Sequence, residues 1–375
     1  MRGGAGSALI VAVLAATSAA RAQIPGSESP GGWPELVEPA RREGRRLLRQ
    51  GLDRVLRAMG EPEPNLGEPP RWVLLAQAIT HLEGARRSLG DDPDLLYLLA
   101  HAHSRYERRQ ADGTLERHVD QAMAVWHRLR EVAPDMHPDR VAVELAQLHT
   151  MRRQFSEARA EYGRAAAHHV PPTTPTLAPY DSAELRLQAL YGPVSRSSLY
   201  GNLAEVTMLD GDVDEAVTHY QAAAREARND PVAYALALWG MSLALDRRGD
   251  HEAALSRAWQ AVQANPAGLN PHLTRTHGPF AVLHAEWVFF EPPSEIHAYQ
   301  ALGREAIAER ERGDRRAIAL REALRQWHLY LEAGGTSPAF DRVARGHVER
   351  LEGLVGDEAE EPRRRPDPLE VLRGL

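Results

Sequence analysis

Histidine invites the first search for chemistry, with 17 copies in 375 residues. A helix that holds zinc places two His three or four residues apart, because only those spacings share a face. No pair here does so. His101 and His103 stand two apart, His168 and His169 are adjacent, and no His-Glu-x-x-His run occurs. Asp210, Asp212 and Asp214 alternate like the opening of a calcium loop, which then needs Gly at its sixth place and Glu at its twelfth. Glu215 and Gln221 occupy those places. A turn between two helices accounts for the same acids. The chain has no Cys, which removes disulfides, thiolate zinc sites and cysteine nucleophiles. It has no Lys either, so all 45 basic residues are Arg, and phosphate-loop lysines and Schiff bases are excluded. An active site would need a converging acid, base and pocket, and the excursion at 270–294 shows only His272, His277 and His284 as candidates. The residues therefore predict no catalytic set, no cofactor and no metal. A net charge of -7 gives no general attraction to nucleic acid.

The elements that would position any site are helices. From Pro34 onward apolar residues recur at helical spacing, and Gly, Pro and Asp-Pro pairs punctuate the pattern every 12 to 20 residues. A repeat emerges. Leu145-Ala146 is followed by Ala158, Tyr162 and Ala165, and Leu203-Ala204 by Ala216, Tyr220 and Ala223, at the same steps of 12, 4 and 3. Ser242, Ala254, Ala258 and Ala261 repeat those steps, and Pro266 follows. Small residues at the first two positions let antiparallel helices approach closely. Asp210-Gly211-Asp212 and Arg248-Gly249-Asp250 fall between the paired helices, where Gly suits a left-handed cap and Asp the next helix start.

This spacing resembles the tetratricopeptide repeat family, a helix–turn–helix of about 34 residues. The resemblance is specific over approximately 139–170, 197–230 and 235–266 and partial in the flanking segments. It implies an all-α fold, an α-solenoid of antiparallel helix hairpins in a tetratricopeptide-like superhelix, with irregular terminal repeats and two non-repeat excursions. In this family ligands lie in the groove lined by the first helix of each unit. By that geometry Gln147, Glu205, Asp246, Arg247 and Arg304 are the expected partner-binding residues. The chaperone-tail clamp of some relatives is not expected, because Val143, Gly201 and Trp239 stand where its Lys would be.

The organisation follows from these patterns. Residues 1–22 read as an export signal: Arg2, the apolar run Ala8–Ala16, then Ala20-Arg21-Ala22 before a cut at Gln23. The apolar run is shorter than the roughly 20 residues needed to span a bilayer. A linker at 23–34 leads to irregular hairpins over 35–134, with an enlarged loop at Gln110–Asp120. Central repeats fill 135–269, interrupted by an insertion at 170–196. An aromatic-rich excursion, 270–294, holds Phe280, Trp287, Phe289 and Phe290. A last hairpin and a capping helix Pro338–Leu354 occupy 295–355, and 356–375 reads as a disordered tail. The predicted function is an exported, periplasmic or secreted scaffold that binds a peptide or protein and has no transmembrane segment. An enzyme built on the excursions and a structural spacer in an envelope complex are the alternatives. Partner identity and oligomeric state are not legible in the sequence.

Overall fold

A computed structural model describes residues 39–59, 69–169, 194–264, 271–285, 288 and 290–360. The export signal, the linker, residues 170–193, Trp287, Phe289 and residues 361–375 lie outside the described residues. Among those described the fold is all-α, built of antiparallel helix hairpins, with a single two-stranded ribbon. No described helix is long and apolar enough to cross a membrane.

The chain divides into two compact units, one comprising residues 1–148 and 167–194, the other 149–166 and 195–375. The division falls within the first of the three sequence repeats. In the first unit α1 (Pro39–Ala58) packs along α2 (Arg71–Leu89). Gly51 permits that approach, since a β-carbon there would meet the Leu82 side chain at 2.6 Å. Asp92 caps α3 (Pro93–Arg105), its carboxylate accepting from the Leu95 amide at 3.1 Å, while Pro93 starts the helix without needing a donor. The chain then forms a β-ribbon, β1 (Glu107–Arg109) against β2 (Leu115–Arg117), where only a loop was expected, before entering α4 (Val119–Val132). Trp126 of α4 is fully buried beside Tyr97 and His101, and its indole donates to Ser104 Oγ at 2.9 Å. Glu144, on α5 (Pro138–Met151), is buried and accepts from Arg105 at 2.7 Å.

The second unit begins in the turn before α6 (Phe155–His168). It continues through the hairpins α7 (Arg196–Leu209)/α8 (Val213–Glu226) and α9 (Pro231–Arg247)/α10 (His251–Ala264). The small signature residues Ala204, Ala216, Ser242, Ala254, Ala258 and Ala261 are all buried, as the close-approach argument requires. The two hairpin turns are built alike. Gly211 and Gly249 are left-handed, with φ of 103° and 92°. The amides of Asp212 and Asp250, each following its glycine, reach back to Thr207 and Leu245 carbonyls at 3.0 and 2.9 Å. Arg153 occupies the corresponding place after α5 with φ of 58°, a conformation that glycine adopts more easily.

After α10 the excursion contains α11 (Pro271–His277) and a 3₁₀ turn, Gly278–His284. Its Phe280, Ala281, Val282 and Leu283 are buried. The last hairpin is α12 (Glu295–Ala308)/α13 (Asp314–Glu332). Helix α14 (Pro338–Glu360) runs six residues past Leu354, into the stretch read from sequence as the start of a tail. It packs along α13 and also reaches α9.

Candidate functional site

Two polar clusters lie in the second unit, both centred on the C-terminal end of α9. In the first, Arg247 donates to both oxygens of Glu295 at 2.7 Å, and both side chains are at most 2% exposed. Burial opposes the Arg247 charge, but the Glu295 carboxylate outweighs it and raises the guanidinium's pKa. Phe340 of α14 lays its ring 3.9 Å below the same guanidinium, and Thr336 donates its hydroxyl to Glu295. Close by, Glu205 accepts from the hydroxyls of Tyr220 and, at 2.8 Å, Tyr299.

The second cluster gathers Asp246 of α9, His251 of α10, Glu305 of α12, and His347 and Arg350 of α14. His347 lies between two carboxylates, its Nε2 3.0 and 3.1 Å from the Asp246 oxygens and its Nδ1 2.9 Å from Glu305. His251 Nδ1 is 2.9 Å from Asp246 on the other side. Arg350 pairs with Glu305 and donates to His251 Nε2 at 3.2 Å. Trp327 of α13 donates to Glu305 at 2.6 Å and stacks on His347 with ring centres 4.5 Å apart. Burial would strip His347 of its proton, yet Asp246 and Glu305 prevail and push its pKa up to about 9. Burial likewise opposes the Asp246 charge, and bonds from His251 and His347 bring its pKa down to about 2. With His347 and Arg350 cationic and both acids ionised, the cluster is neutral, which is how buried charges are tolerated.

The residues expected to bind a partner divide. Asp246 and Arg247 do not line an open groove: their side chains are 2% exposed and are consumed by His347, His251 and Glu295. The first-helix face of α9 is covered by the chain itself, with Phe280 against Trp239 at 5.6 Å and Phe340 against Arg247. Arg304 is half-buried with its guanidinium 4.6 Å from the Phe280 ring. Glu205 is half-buried under its two tyrosines. Gln147, in the first unit, is half-buried on α5. In the excursion, His277 and His284 stack at 3.6 Å, and His284 meets Gln300 at 2.8 Å.

Sequence reasoning missed Glu295, Glu305, His251, His347 and Arg350. A same-helix spacing test cannot see partners 96 residues apart, as His251 and His347 are. One local signal existed: the buried stripe of α14 runs Phe340, Ala344, His347, Leu351, with a His where an apolar residue belongs.

Stacked antiparallel hairpins, closed by small-residue contacts and glycine turns, define a helical-repeat protein. Residues 195–266, which span α7 to α10, match the tetratricopeptide repeat family. No curated protein matches it. Among solved structures, the crystal structure of the P58(IPK) TPR domain is similar at 14% identity over 86% of this chain and 100% of that one, with a TM-score of 0.22.

Proposed function

We propose that this chain is an exported interaction scaffold that binds a protein or peptide partner and performs no catalysis of its own. The observation that carries the reading is the pair of intact tetratricopeptide hairpins at 195–266, with every signature small residue buried. Partner contacts are assigned to Arg304 and Glu205 in the second unit and to Gln147 in the first. Such contacts would spread affinity over several side chains rather than one pocket. A photo-crosslinking residue placed at position 304 of the full chain, in its native cell, tests this. One protein trapped reproducibly, and lost when Glu205 is replaced, supports the scaffold. Repeated absence of any trapped protein at positions 304, 205 and 147 overturns it.

Export rests on the apolar run Ala8–Ala16 and the small residues Ala20 and Ala22. Terminal sequencing of the mature protein should begin at Gln23, and a retained Met1 refutes export.

A further inference from the structure

Asp246, His251 and His347 offer one carboxylate oxygen and two imidazole nitrogens, all within 4.8 Å of one another. We propose that these three residues form a binding site for a divalent cation of the zinc class. Two nitrogens and one oxygen suit such a borderline ion, whose bonds to them are about 2.0–2.1 Å long. Tetrahedral ligands at that bond length stand about 3.3 Å apart. One Asp246 oxygen, Oδ1, already lies 2.9 Å from His251 Nδ1 and 3.1 Å from His347 Nε2, so those two gaps need open by only a few tenths of an ångström around the ion.

The surroundings match what a metal-bound imidazole needs. The second nitrogen of a ligating His usually donates to a carboxylate that fixes the ring and its tautomer. His347 Nδ1 does this to Glu305 at 2.9 Å. On binding, the His347 Nε2 proton leaves to solvent and the His251 proton passes from Nδ1 to Nε2. That nitrogen then faces Glu305 Oε2, now 3.7 Å away. Arg350 must give up its bond to His251 while keeping Glu305, and its side chain, 41% exposed, has room to do so. His251 is 35% exposed and marks the entry side, where water completes the fourth position. The four ligand and support residues come from α9, α10, α12 and α14, so the ion would pin the C-terminal helix to the repeats.

The test is Co²⁺ titration of the chelator-stripped, full-length protein, read by the visible bands of the tetrahedral ion. One Co²⁺ per chain, displaced by Zn²⁺, is expected. His251→Gln and His347→Gln should each weaken binding at least tenfold, and Arg350→Gln, which removes a competing cation, should tighten it. His328→Gln, on α13 outside the cluster, should change nothing. His251 is part-exposed, so its variant remains decisive if the His347 variant fails to fold. Absence of the bands overturns the proposal and leaves the cluster an ion lock. Binding that His251→Gln does not weaken assigns the ion to scattered surface histidines and overturns it equally.

Discussion

A β-carbon on Gly303 would lie 2.6 Å from the Trp239 ring, so α9 and α12 meet where nothing larger than hydrogen fits. The same carbon would stand 2.6 Å from Phe280, and both rings are buried and cannot retreat. Alanine in a helix is worth about 1 kcal/mol over glycine, but overpacking a filled core costs about 1–3 kcal/mol. Gly303→Ala should therefore lower stability, by up to about 2 kcal/mol, in chemical denaturation. Gly201→Ala on α7 has nothing within 4 Å and should raise stability by up to about 1 kcal/mol. The opposite signs test the packing, since propensity alone predicts a gain for both.

Arg247→Met strands the Glu295 carboxylate in a buried site, and the loss of one partner from such a pair costs about 3–5 kcal/mol. Combining it with Glu295→Leu should recover most of that loss. A double variant as unstable as the sum of the singles would show that the two side chains act independently, contrary to their 2.7 Å contacts.

Acid should weaken the first unit through His101. Burial pushes its pKa down to about 3, while the unfolded chain takes the proton near 6.5. Between those values the unfolded state binds more protons, so stability falls as pH drops from about 6.5 towards 3. His103, lowered to about 4 by burial and His118, adds to the same limb. His101→Phe keeps an aromatic ring against Tyr97 and Trp126 and removes the titration. Stability of the variant measured across pH 7 to 4 should decline less steeply than that of the native chain.

Asp230→Ala removes a carboxylate that accepts from the Val232 and Ala233 amides at 3.1 and 3.0 Å. The start of α9 then loses its cap, at a cost of about 0.5–2 kcal/mol. Asp230→Asn should retain most of the stability, because it keeps an accepting oxygen, and denaturation midpoints separate the two.

The repeats were legible because their determinants are local and periodic. Ala204 and Ala216 must be small for paired helices to touch, and Gly211, between them in the chain, must turn left-handed. Such demands leave a fixed spacing in the chain. The ribbon at 107–117 left none, since its three-residue strands are too short to show alternation. The extension of α14 to Glu360 was hidden by the charge of Asp357, Glu358 and Glu360, since an acidic run in sequence suits a tail as readily as a helix.

Sequence by itself determined the helical class, the hairpin register and the Gly–Asp turns, all products of interactions between residues a few positions apart. Tertiary structure alone decided which first-helix residues stay open. Asp246 and Arg247 carry charges that look available along α9. Folding brings His347, from 101 positions away, against Asp246, and Glu295, from 48 positions away, against Arg247. A buried charge takes whatever counter-charge the fold delivers, and no spacing along one helix encodes a partner supplied by another.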